Sequence, residues 1–401
     1  MKNKFWGKML ALTLSAAVVA GCGAFAGCNN NSDGGNKVPE TQKIEDLFDD
    51  RYVNLYGRNY YNENYEGTTF INSASGFELK FRGTAVYADI CVIGSRDSMW
   101  SVFVDGETDS NARVLTFKKK RGMFTKKTLV EGLPGGEHTL KILKLTMSSA
   151  DYAVIKNLAS DGAFLGAPEK PKLHIAFYGD SITCGSGVLR EYKPADSKIY
   201  TAETQNALQA YTAYCASELG ASFGVFGRGG ITLKFRNPAT EPFSVINNYK
   251  SMAVDLSVEN GEYPEYDFSD MPDAVIIYLG TNDYLRSLSS NTGYSIAGME
   301  ATYIEFVDKL VGAYYGFDIP VVLCSGLMVR SSGLAGSVKS AAQKLKAKYP
   351  YIEAIDFEAG VTEATGGHPV VEDSVKAGSQ LAKTLKNAFR KFGQNTRIND
   401  L

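Results

Sequence analysis

The chain has 401 residues and a formal net charge of −2, with 44 Asp and Glu against 42 Lys and Arg. So even a balance excludes the broad positive field of a nucleic-acid-binding protein, and the length exceeds one comfortable core and implies two domains. Six cysteines, none in a C-x-x-C pair, argue against a zinc scaffold and against a disulfide framework.

Lys2, Lys4 and Lys8 precede an apolar stretch from Met9 to Ala20. This is the pattern of a targeting segment, and it is too short to span a membrane. Val19-Ala20-Gly21-Cys22 matches a bacterial lipobox, and Phe25-Ala26-Gly27-Cys28 is a weaker second copy. Residues 1–28 therefore read as a lipoprotein signal region with Cys22 or Cys28 as the lipidated residue. The expected location is extracytoplasmic, at the cell surface, with the membrane reached through the lipid anchor only. Residues 29–46 are rich in Asn, Gly and Ser and then polar, a composition expected of a flexible linker.

A β-sandwich domain is expected over 47–166. Phe77, Leu79 and Phe81 alternate with polar neighbours, as do Val86, Ala88, Ile90 and Val92. Val102 and Val104 lead into the turn signal Asp105-Gly106, and His138, Leu140 and Ile142 follow Leu133-Pro134-Gly135-Gly136. Short alternating runs punctuated by turns predict a sandwich. The content of 23 Tyr and 21 Phe suits such a part. Six basic residues between Lys118 and Lys127 are expected at a solvated hairpin tip.

The stiff connector Ala167-Pro168-Glu169-Lys170-Pro171 opens a second domain, 167–401. Apolar runs at His174–Tyr178, Phe223–Phe226, Ala274–Leu279, Pro320–Cys324 and Ile352–Phe357 now alternate with helical segments. Those segments are Ala207–Leu219, Met299–Tyr315, Ala335–Lys348 and Ser374–Phe392. In the last of them Val375, Leu381, Leu385 and Phe389 share a face. The alternation predicts an α/β domain of three layers, a parallel sheet covered on both sides by helices. No P-loop, dinucleotide fingerprint or G-x-S-x-G elbow after a strand is present, which sets aside nucleotide binding and the ordinary α/β-hydrolase.

Three stretches that follow predicted strands carry side chains suited to acyl transfer, which needs a nucleophile, a base and an oxyanion hole. The first is Tyr178-Gly179-Asp180-Ser181-Ile182-Thr183-Cys184-Gly185. It delivers Ser181 to the carboxyl end of a buried strand, with a helix expected to open just after it and the Ser181 N–H as one oxyanion donor. The second is Phe226-Gly227-Arg228-Gly229-Gly230, where Gly227 is the first candidate for a second N–H donor and Gly229 the other. The third is Gly280-Thr281-Asn282-Asp283, with the Asn282 amide as a neutral donor and Asp283 as a helix cap. Of only three histidines, His138 lies in the sandwich segment and His174 at the start of a strand. His368, in Gly367-His368-Pro369, is left as the base.

These residues resemble the SGNH, or GDSL, hydrolase superfamily: Gly179-Asp180-Ser181, Gly227, Gly280-Thr281-Asn282-Asp283 and His368-Pro369 match its four motifs in order. The N-terminal half is similar to carbohydrate esterase family 2. Its share of that similarity lies in Asn54-Leu55-Tyr56-Gly57-Arg58, Ser75-Gly76-Phe77-Glu78, Val104-Asp105-Gly106 and Glu131-Gly132-Leu133-Pro134-Gly135-Gly136-Glu137-His138. The resemblance implies a jelly-roll ahead of a flavodoxin-like SGNH sheet. It implies a serine esterase that removes acetyl groups from polysaccharides such as xylan or mannan through an acetyl-Ser intermediate, with no metal and no cofactor. Two positions depart from the pattern. Thr365 stands where the family usually has an Asp, leaving a backbone carbonyl, Glu363 or Asp356 to orient His368. Val370-Val371-Glu372-Asp373 reads as an extended turn after His368-Pro369, which sets His368 out of line with Ser181 unless the loop rearranges. The alternatives are a non-catalytic surface glycan-binding protein on a degenerate esterase scaffold, and an esterase with another acyl substrate.

Overall fold

The computed structural model describes residues 38–120, 122–148, 151–189, 201–233, 244–254, 263–288, 295–358 and 367–391. The signal region with Cys22 and Cys28, and Thr365 and Glu363, lie outside the described residues.

Alternation along the chain builds the first half. Its strands are β1 (Thr41–Ile44), β2 (Val53–Tyr56), β3 (Asn59–Asn62), β4 (Gly67–Phe70), β5 (Gly76–Gly83), β6 (Val86–Gly94), β7 (Ser98–Val104), β8 (Val114–Phe117), β9 (Thr125–Val130), β10 (Gly136–Lys144) and β11 (Asp151–Leu165). All their pairings are antiparallel, and the long β11 runs beside β1, β4, β5 and β6. Phe77, Leu79 and Phe81 of β5, Trp100 and Val102 of β7, and Leu140 and Ile142 of β10 meet in one buried cluster. Each strand places every second side chain on that face.

Two expectations are corrected here. Thr41–Ile44, read as linker, is a strand paired with β11 from Thr41↔Phe164 to Ile44↔Leu158. Ile44 and Leu47 bury their side chains in the sandwich core, and that outweighs the polar composition around them. The basic run is not a hairpin tip, because β8 pairs with β7 whereas β9 pairs with β6. It is a crossing between two pairings, solvated and held by local contacts such as Lys118 with Asp97 at 2.8 Å.

The second half is the expected α/β domain. Its strands are β12 (Leu173–Gly179), β13 (Ala221–Gly227), β14 (Ala274–Tyr278), β15 (Val321–Ser325) and β16 (Ile352–Asp356). They form one parallel sheet in the order β13-β12-β14-β15-β16, the flavodoxin-like order. The helices are α1 (Tyr211–Glu218), α2 (Val245–Asn248), α3 (Thr281–Ser287), α4 (Met299–Val307), α5 (Ser332–Leu345) and α6 (Val371–Lys391). A π-helical stretch, Asp308–Tyr315, continues α4.

The strands sort their side chains by parity. Ile276 and Tyr278 pack with Tyr211 of α1 and with Leu381 and Leu385 of α6. Val275 and Ile277 pack with Tyr303 of α4 and Val338 of α5 on the other face. Two core clusters on opposite faces of one sheet make the three layers. Val375, expected on the buried face of α6, is 40% exposed. Leu381, Leu385 and Phe389 do lie on that face, joined by Ala377 and Ala382, and Gly378 packs closely against Tyr211 O and Tyr214 Cβ of α1.

The two halves meet around Arg58, in the turn between β2 and β3. Its guanidinium is buried and donates to Tyr249 O at 2.7 Å, Ser251 O at 2.6 Å and the Tyr178 hydroxyl at 2.8 Å. It also lies 4.1 Å from the ring centroids of both Phe226 and Tyr266. The connector is tied as well, with Asn54 Nδ2 donating to Pro168 O at 2.6 Å.

Candidate active site

In a sheet of this order the connection after β12 runs to β13 on one side, and the connection after β14 runs to β15 on the other. The loops at their carboxyl ends therefore diverge and leave a crevice above β12. Ser181 stands in that crevice, two residues past the end of β12 and 8% exposed.

The turn that carries it is tight. A Cβ built on Gly179 would stand 1.9 Å from Thr183 Oγ1, so only glycine lets the chain fold back there. No helix opens after Ser181, contrary to expectation: residues 181–189 are a series of turns, with Cys184 N–H donating to Asp180 O at 3.1 Å and Ser186 N–H to Ser181 O at 2.9 Å. Gly185 and Gly187 adopt left-handed φ of +70° and +73°, and those angles break a helix before its first full turn. The site has no helix dipole behind Ser181.

His368 meets Ser181 directly. Its Nε2 lies 2.7 Å from Ser181 Oγ, and its ring is 7% exposed. The extended turn after His368-Pro369 does not exist, because α6 begins at Val371 and Val370 N–H donates to Asp373 Oδ2 at 3.3 Å. Asp356 accepts from Ser325 Oγ at 2.8 Å. The other histidines serve the fold: His138 bonds Asp105 at 2.7 Å and Pro134 O at 2.8 Å, and His174 lies 3.0 Å from Ser222 Oγ.

The neighbouring loops bring up two donors. Asn282, in the first turn of α3, gives one N–H to Ile231 O at 2.9 Å, and this fixes the amide. The other N–H donates to Asp180 Oδ2 over a longer 3.4 Å, the weaker of the two bonds and the one an incoming oxyanion would displace. On the β13 side the two glycines differ. Gly227 is the last residue of β13, in register with Gly179, and a Cβ on it would meet Gly179 O at 2.3 Å. Gly229 lies beside Ser181, since a Cβ on it would come within 3.9 Å of Ser181 Cβ. Asp283 is not a helix cap. Gly280 takes that place, and the buried Asp283 carboxylate accepts from Leu233 N–H at 2.9 Å, pinning the β13 loop to α3. The acidic residue that closes Thr281-Asn282-Asp283 is the sequence signal for that link.

Asp180 is fully buried below this crevice. Burial pushes its carboxyl up to about 7 from an ordinary 3.8; the Ile182 N–H, 2.9 Å from Oδ1, acts in the opposite sense, and the Asp283 charge adds to the rise. The fold thus favours protonated Asp180. Its contribution to stability is complete below about pH 4 and is lost as the pH rises through 7. The thermal midpoint is therefore expected to fall between pH 5 and pH 8, and Asp180→Asn should flatten that fall. An identical pH dependence in the variant would refute this role. Burial likewise pushes the Cys184 thiol up to about 12, so it stays a neutral thiol and no rival nucleophile to Ser181.

Family models match both halves. Carbohydrate esterase 2 N-terminal matches residues 56–168, and GDSL-like lipase/acylhydrolase matches residues 175–367. The chain carries a carbohydrate esterase 2 N-terminal domain followed by a GDSL hydrolase domain. Among curated relatives, the cellulase/esterase CelE of Acetivibrio thermocellus is 28% identical over 269 residues, 65% of this chain. This chain spans only 30% of CelE. An acetylxylan esterase / glucomannan deacetylase of Cellvibrio japonicus is 23% identical over 257 residues, 63% of this chain and 67% of the relative. Among solved structures, a family two carbohydrate esterase from Clostridium thermocellum in complex with cellohexaose has a TM-score of 0.70 at 23% identity, covering 84% of this chain and 99% of that one. A family two carbohydrate esterase from Cellvibrio japonicus has a TM-score of 0.72 at 20% identity, covering 87% and 98%. At these identities the structures establish a shared fold, jelly-roll-like domain first and GDSL sheet second.

Proposed function

We propose that this chain is a serine esterase that removes O-acetyl groups from a polysaccharide. The observation that carries the reading is the 2.7 Å contact between Ser181 Oγ and His368 Nε2 in the crevice above β12. With Nε2 unprotonated, the imidazole takes the Ser181 proton as Oγ attacks the acetyl carbonyl. The oxyanion then sits among the Ser181 N–H, the Gly229 N–H and the Asn282 N–H that otherwise makes the long contact with Asp180. Gly229 replaces Gly227 in this role because it is the glycine beside Ser181. His368 returns the proton to the departing sugar oxygen. A water, deprotonated by the same imidazole, attacks the acetyl-Ser181 carbonyl and releases acetate.

The names borne by the relatives, acetylxylan esterase and glucomannan deacetylase, support acetylated xylan or mannan as the substrate class. We read the lipobox at Cys22, with Cys28 as the second candidate, as the anchor that would hold such an enzyme at the cell surface.

Acetate release from 4-nitrophenyl acetate and from acetylated xylan tests the function, with wild type and Ser181→Ala side by side. Release by the wild type alone is the expected result. No release by a folded wild type would transfer the site to glycan binding without hydrolysis, and equal release by both would place the chemistry elsewhere.

A further inference from the structure

The crevice has a wall that does not belong to the GDSL domain. The loop after β10, Leu145–Ser148, reaches out of the sandwich and lies against the β13 loop. Met147 Sδ would stand 3.2 Å from a Cβ placed on Gly229, the same point that lies 3.9 Å from Ser181 Cβ. Met147 is 9% exposed and belongs to the same buried cluster as Ile182 and Cys184, just past the nucleophile.

The loop is held on every side. Lys144, fully buried and 3.2 Å from an equally buried Asp151, donates from Nζ to Thr146 O at 2.7 Å. Met147 N–H donates to Gln205 Oε1 at 3.2 Å, and Ala207 N–H donates to Leu145 O at 3.1 Å. Ser148 Oγ donates to Gly227 O at 3.4 Å. So anchored a loop holds its side chain in place where a free loop would let it swing away.

Stereochemistry says what Met147 faces. The tetrahedral carbon formed on Ser181 carries four groups. One is Oγ and one is the oxyanion. The sugar oxygen must point toward His368, which returns its proton. The acyl chain takes the remaining direction, away from both His368 and the oxyanion donors, and the apolar side chain that the sandwich brings beside Ser181 to meet it is Met147. On the His368 side a different methionine, Met328, packs against Gly367. Resting on the esterase reading above, we infer that Met147 is the residue that limits the acyl group to acetyl. Its thioether closes the space that a longer chain would enter.

The test is the ratio of kcat/KM for 4-nitrophenyl butyrate to that for 4-nitrophenyl acetate. A methylene that does not fit a pocket is typically discriminated by about 10–200-fold. Met147→Ala is expected to raise the ratio about 10–100-fold, and Met147→Leu, which conserves volume, to leave it near the wild-type value. Partial unfolding lowers both rates alike, so the ratio is immune to it; Met147→Val supplies the ratio if Met147→Ala does not fold. An active wild type whose ratio is unmoved in Met147→Ala or Met147→Val overturns the inference alone. A wild type inert toward every ester overturns the esterase reading and this inference with it.

Discussion

Ser181→Ala and His368→Ala are each expected to lower kcat on 4-nitrophenyl acetate by about 10⁴–10⁶-fold, and the double variant by no more than the worse single one. Nucleophile and base act as a unit: without the base the hydroxyl is not activated, and without the hydroxyl the base has nothing to activate. The residual rate belongs to binding and to the oxyanion donors, which both variants keep. The 2.7 Å contact makes the coupling a direct one, with no water to carry it. Steady-state rates for the three variants decide the matter. A His368→Ala enzyme within tenfold of wild type would remove the base from the mechanism, and losses that multiply in the double variant would show two independent roles.

Arg58→Met is expected to lower the thermal midpoint by roughly 5–10 °C, from a loss of about 3–5 kcal/mol. The guanidinium satisfies two backbone carbonyls and the Tyr178 hydroxyl at once, between two aromatic rings. Methionine fills part of the volume and leaves those acceptors without their donor in a largely buried seam. Arg51 is the control. It is an exposed arginine paired with Asp49 at the surface, and Arg51→Ala should melt with the wild type. If Arg58→Met also melts with the wild type, the seam does not depend on its polar anchor.

Much of this site was legible because its signals are local. A buried run ending in Gly-Asp-Ser, a second ending in Gly-Thr-Asn-Asp and one histidine near a last amphipathic helix need only period and residue type to be noticed. All five apolar runs became strands of the parallel sheet. What misled was also local. The segment after Ser181 looked like a helix start until two left-handed glycines interrupted it, and Val371 to Asp373 looked like loop although they form the first turn of α6. A Gly-rich stretch with two candidates offers no rule for choosing between Gly227 and Gly229. Only the approach of Gly229 to Ser181 in the folded chain favours it over Gly227 in the proposed hole. Arg58 and Met147 were beyond reach for another reason. Their partners lie far along the chain, at Tyr249 and Ser251 for one and at Gly229 for the other, and no periodicity in their own segments announces them.

The reach of the Leu145–Ser148 loop across the seam divides labour between the two halves. The residues that make and break the ester bond are in one domain, and a wall that bears on which ester enters comes from the other. Selection acting on the sandwich can therefore retune substrate choice while the reacting groups stay untouched. The same arrangement forbids a simple exchange of parts: a GDSL domain joined to a foreign sandwich would inherit a foreign acyl preference, or an open crevice with none.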